Sequence, residues 1–83
     1  MIDKLLYLTM RYKVSIRVEN QTMGTGRDWA SYSASVVAEN DTTKLTGNGY
    51  VSGDVKSAAE LREQALNAAI VKVVQQAQAL SDV

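Results

Sequence analysis

The sequence predicts an α+β fold: a three-stranded antiparallel β-meander packed against one long C-terminal α-helix. Two periodicities and one turn carry that expectation. Residues 6 to 18 alternate, with Leu6, Leu8, Met10, Tyr12, Val14, Ile16 and Val18 on one face of an extended strand and Arg11, Lys13, Ser15 and Arg17 on the other. Residues 57 to 80 change to helical period. Between the two, Glu39-Asn40-Asp41-Thr42-Thr43 has the composition and length of a hairpin turn.

The first strand is expected over about residues 4 to 19, ending at the turn formers of the Asn20 to Gly26 stretch. Residues 1 to 9 extend that strand or form a short helix with Ile2, Leu5, Leu6 and Thr9 on one side. The strand is the preferred reading because its alternation continues into Tyr12. A second strand runs from about Trp29 to Glu39, with Ala30, Tyr32, Ala34, Val36 and Ala38 facing the core and Ser31, Ser33 and Ser35 facing water. The hairpin returns a third strand over about residues 44 to 51. In it, Gly47 and Gly49 mark either a bulge or the close approach of another backbone, where the helix is expected to cross. Ser57 followed by Glu60 fits a capping box at the helix start. At ~1.5 Å per residue the helix is roughly 36 Å long, enough to overhang a small sheet. Its apolar arc holds Leu61, Ala65, Ala69, Ile70 and Val73, while Val71 and Val74 fall outside it.

Residues 1–83 make a single domain with a thin core and a large exposed surface. Hydrophobic residues are 46% of the chain, yet Phe is absent and the apolar side chains are mostly Ala and Val. Such residues fill a flat layer and not a deep pocket. Lys plus Arg and Asp plus Glu both count 9, so the net charge is zero, which argues against affinity built mainly on neutralising phosphates. With no Cys and no His, disulfides, thiol nucleophiles, the usual zinc sites and imidazole catalysis are excluded. No cofactor is expected. No apolar run approaches the roughly 20 residues of a membrane span, and the expected location is cytoplasmic.

Three groups of residues are candidates for binding. The polar sheet face gathers Arg11, Lys13, Arg17, Lys44 and Tyr50, with Asn48 and the serines of the second strand; basic residues beside a stacking aromatic suit RNA or single-stranded DNA. A solvated face of an antiparallel sheet is the plainer account of the same residues. Arg27 and Trp29, at the end of a Gly-containing loop, could hold an anion and a ring, although the loop matches neither the phosphate loop nor the dinucleotide fingerprint. Leu6 and Leu8 on the first strand, and Val71 and Val74 on the helix, are candidates for self-association. Carboxylates sit in turns and on the first helical turns, where capping and the helix dipole account for them.

Leu45-Thr46-Gly47-Asn48-Gly49, leading into Ser57-Ala58-Ala59-Glu60 and then Ala65-Leu66-Asn67-Ala68-Ala69-Ile70, resembles a double-stranded-RNA-binding domain over about residues 12 to 74. The resemblance is one of topology and of a Gly-x-Gly to Ala-rich-helix pattern. It implies RNA contact through a basic cluster at the last helix and a histidine in the loop after the first strand. Here Lys56 and Arg62 flank the helix start, Glu60 and Glu63 oppose them, and there is no histidine.

The sequence therefore leads to a non-enzymatic interaction module that forms a homo-oligomer, a dimer, and binds a macromolecule. Its size and lack of motifs suit a viral or mobile-element accessory protein. Nucleic-acid binding through the basic face is the alternative, and a small anion held by Arg27 and Trp29 is a third.

Overall fold

The computed structural model describes residues 2–22 and 29–81, with side chains over 5–20 and 29–80. Arg27 and the loop around it lie outside the described residues. Helix α1 (Ile2–Thr9) leads into strands β1 (Lys13–Thr22), β2 (Trp29–Glu39) and β3 (Lys44–Asp54), and a 3-10 turn at Val55–Ser57 opens helix α2 (Ala58–Ser81). The sheet order is β1-β2-β3, antiparallel throughout, so the expected meander and long C-terminal helix are both present.

One expectation is corrected. Residues 2–9 are helical and do not extend β1. The reason lies at the hairpin: β2 stops at Glu39, which pairs with Lys13, so residues before Lys13 have no neighbouring strand to bond. A helix satisfies its own backbone groups, and its i, i+3 spacing turns Leu5 and Leu8 together onto the core. Backbone bonds from Met10 to the Leu6 carbonyl, and from Arg11 and Tyr12 to the Leu8 carbonyl, close the helix and turn the chain into β1.

The hairpin forms as its residues require. Asn40 Oδ1 accepts from the backbone N–H of Thr42 at 3.0 Å and of Thr43 at 2.9 Å, and the Asn40 N–H donates to the Thr43 carbonyl at 2.9 Å. An asparagine side chain standing in for a backbone acceptor makes this turn compact. At the other end of β3, Asp54 caps the 3-10 turn, its Oδ1 accepting from the Lys56 N–H at 2.9 Å, and α2 begins at Ala58, directly after Ser57.

Gly47 and Gly49 are where α2 crosses the sheet. A Cβ on Gly49 would lie 2.1 Å from the Ala65 carbonyl oxygen, and one on Gly47 would lie 2.7 Å from that of Ala69. Two bare glycines facing Ala65 and Ala69 bring helix and strand backbones together. The core that results is a thin layer: Ala34, Val36, Ala38 and Leu45 from the sheet against Ala65, Ala69, Ile70, Val73 and Val74 from α2, with Leu8 inserted at the side. The domain is elongated, 49 × 20 × 17 Å, with a radius of gyration of 14.4 Å against about 12 Å for a compact chain of this length.

Helix α2 lies over β3 and β2, and α1 packs on α2 and the start of β1. Along the rest of β1, Val14 and Val18 pack on the edge of the core while Ile16, between them, is exposed.

Candidate functional site

The strand registers place each polar candidate. Side chains on the face away from α2 come from Lys13, Ser15, Arg17 and Glu19 on β1, from Trp29 and the alternate residues through Glu39 on β2, and from Lys44, Thr46, Asn48 and Tyr50 on β3. Lys13, Arg17, Lys44, Asn48 and Tyr50 thus share one face, as expected. Arg11 does not join them. It sits in the turn after α1, where its guanidinium stacks 4.6 Å from the centre of the Tyr7 ring.

This face is balanced in charge. Lys13, Glu39 and Lys44 form one cross-strand row, with the carboxylate between the two amines, and Arg17 Nε lies 3.1 Å from Glu19 Oε1. Tyr50 is 65% exposed and Trp29 48%. They stand on opposite sides of the row containing Ser31 and Ser52, which separates the rings along the strands.

The self-association candidates divide. Leu8 and Val74 are buried in the core, against the expectation that they meet another chain; α1 supplies the cover that the polar side of α2 had seemed to lack. Val71 is half-buried. Leu6 is 55% exposed.

The residue that sequence reasoning misplaced is Ile16. It alternates with Val14 and Val18 on the face toward α2, and its cross-strand neighbour Val36 is fully buried, yet Ile16 is 43% exposed. The helix lies too far toward β3 to reach it. Nothing local in the sequence marks this, because alternation reports the face of a strand and not which strand the helix covers.

The two edges of the sheet also differ. On β3, Lys72 Nζ donates to the Asn48 carbonyl at 2.7 Å and Gln76 Nε2 to the Thr46 carbonyl at 2.8 Å. These carbonyls therefore turn away from β2, and α2 covers the edge with its own side chains. Alternation carried across the continuous registers then points the backbone groups of Val14, Ile16 and Val18 outward on β1. There, among the described residues, no hydrogen bond reaches them from outside the strand. The edge with free backbone groups is the edge with the uncovered Ile16.

A concavity beside α2 is lined, among the described residues, by Glu60, Glu63, Gln64 and Asn67. These come from successive turns of one helix, and no second described element converges on them. Among the described residues no helix is long and apolar enough to cross a membrane. Comparison with known protein families, with characterised proteins and with solved structures finds no match to this chain.

Proposed function

We propose that this protein is a non-enzymatic interaction module that self-associates through the β1 side of its sheet. One observation carries the reading: the two sheet edges are treated oppositely, with β3 covered by Lys72 and Gln76 and β1 left, among the described residues, with free backbone groups beside the half-exposed Ile16. A free, apolar edge strand is a template for strand addition, and small domains rarely leave one bare. The thin core points the same way, since burial against another chain adds the apolar area that a chain this short lacks. Catalysis has little support, because without His or Cys a base would have to be Lys or a carboxylate.

The alternative, RNA or single-stranded DNA on the open face, draws on exposed Tyr50 and Trp29 beside Lys13, Arg17 and Lys44. Glu19 and Glu39 weigh against it, because each sits next to one of the cations that would have to meet phosphates. The resemblance to double-stranded-RNA-binding domains adds only topology, as the basic cluster and loop histidine of that family have no counterpart here.

Gel filtration with light scattering, with absorbance recorded at 260 and 280 nm, tests the reading. The expected result is a particle of twice the 9.0 kDa chain mass, free of nucleic acid. A chain that is monomeric at every concentration overturns the proposal, and salt-sensitive co-purification of nucleic acid with a monomer replaces it by the alternative.

A further inference from the structure

We infer that the occupant of the β1 edge is a second copy of this chain, its own β1 running antiparallel about a two-fold axis at Ile16, so that two sheets join into one of six strands. This rests on the self-association proposed above and adds the element, the direction and the register.

A two-fold axis makes the contact self-complementary, so each possible register can be judged by which residues it sets opposite one another. Centred on Arg17, the strands place two guanidinium groups face to face. Centred on Ser15, they set Arg17 against Lys13 of the second copy, twice. Like charges directly opposite across strands are destabilising. Centred on Val18, the apolar ladder shortens, because Ile16 meets Asn20. Centred on Val14, Arg17 meets Arg11 and the paired length contracts toward α1. Only the Ile16 register aligns both faces: Ile16 meets Ile16, Val14 meets Val18 on either side, and on the open face Lys13 meets Glu19 at both ends. The backbone agrees, since Val14, Ile16 and Val18 are the residues whose N–H and C=O groups point outward.

The resulting assembly has a natural limit. Its sheet order is β3-β2-β1-β1-β2-β3, and both outer edges are β3, covered by Lys72 and Gln76. Strand addition therefore stops at two chains and does not propagate into a fibre. The exposed Ile16 of each β1 also adjoins its equivalent, so the two Ile16 side chains cover each other.

Two sets of variants of the full chain test the register. Because the sequence has no cysteine, Ile16→Cys places one thiol per chain on the axis, where paired Cα atoms about 5.5 Å apart lie within disulfide range. Mild oxidation should convert this variant to a covalent dimer, while Ser33→Cys, on the middle strand, stays uncrosslinked. Lys13→Glu and Glu19→Lys should each raise the dimer dissociation constant roughly tenfold, since each change acts twice across the axis. The double variant Lys13→Glu/Glu19→Lys should return toward wild type. All four positions are exposed in the single chain, but Lys13→Glu would face Glu39 within the chain and Glu19→Lys would lose its pairing with Arg17, so the thermal unfolding of each variant is measured beside its dimerisation. A wild-type monomer overturns the self-association and the register together. A wild-type dimer without the Ile16→Cys crosslink and without rescue in the double variant overturns the register alone.

Discussion

Gly49→Ala tests the packing of the domain at its tightest point. Ordinary contact begins near 3.4 Å, and the added methyl would sit 2.1 Å from the Ala65 carbonyl oxygen, so a separation of 3.4 − 2.1 = 1.3 Å must be found. Neither side can yield alone, because the Ala65 oxygen belongs to the helix backbone and Gly49 to a strand held by β2. The helix must lift. A gap of ~0.5–1 Å already forfeits a quarter to a half of each dispersion contact, and lifting also stretches the 2.7 Å Lys72 and 2.8 Å Gln76 bonds to β3. Against this, alanine recovers up to about 1 kcal/mol of the backbone entropy that glycine loses on folding. Overpacking of this kind costs ~3 kcal/mol net. A domain of this size has roughly 4–12 kcal/mol in total, so Tm should fall by about 12–24 °C. Far-UV circular dichroism against temperature and urea, at one fixed protein concentration, measures it. Gly53→Ala is the control, since its methyl would meet only the flexible Leu61 side chain at 3.1 Å and should cost under ~1 kcal/mol. If Gly49→Ala is as stable as Gly53→Ala, the close crossing of α2 over β3 is refuted.

Three further outcomes follow from the packing. Leu8→Ala removes the fully buried side chain that docks α1 and should cost ~3 kcal/mol in urea unfolding, with faster tryptic cleavage after Arg11 as α1 loosens; unchanged cleavage would mean that α1 is not held by Leu8. Asn40→Ala deletes the acceptor of two backbone N–H groups and should cost about 1–2 kcal/mol, whereas Asn40→Asp keeps an acceptor and should cost less than half of that. Val74→Lys places an amine in the core and should yield an insoluble or unfolded chain, while Val71→Lys, at a half-buried position, should fold with Tm within a few degrees of wild type; equal behaviour of the two by circular dichroism would refute the docking of α1 on α2.

The fold was legible where one physical constraint acted alone. Alternation in the second and third strands sorted the side chains onto two faces, because a pleated strand has only two, but it misjudged Ser31, which it sets in water and which is only 3% exposed. Gly-x-Gly read correctly as a close crossing because few other features of a strand need a bare Cα. The first nine residues failed for the opposite reason. Leu6, Leu8, Met10 and Tyr12 alternate, yet Leu5 and Leu8 also have helical spacing, and a run of eight residues supports both readings. The end of β2 decided between them, and that is a tertiary fact. The site was legible only in part: on the open face Arg11 is absent and Ser31 is buried, contrary to the reading, while the exposure of Ile16 depends on the lateral position of α2, which no pattern within β1 encodes.

The misreading of the first residues bears directly on how the molecule would meet a partner. Taken as a strand, residues 4 to 12 would lengthen the apolar edge and leave Val74 bare on α2, spreading the candidate interface over two elements. Folded as α1, the same residues bring Leu8 into the core cluster in which Val74 is buried. On the sheet edge what stays open is one short stretch of β1, from Val14 to Val18, where outward backbone groups and a half-exposed isoleucine coincide. A contact confined to about five residues on an edge strand cannot slide by one residue without turning Ile16 to the wrong face, or by two without losing the Lys13 to Glu19 alignment. The shortness of the free edge, which makes the interface small, is also what would make its register unique.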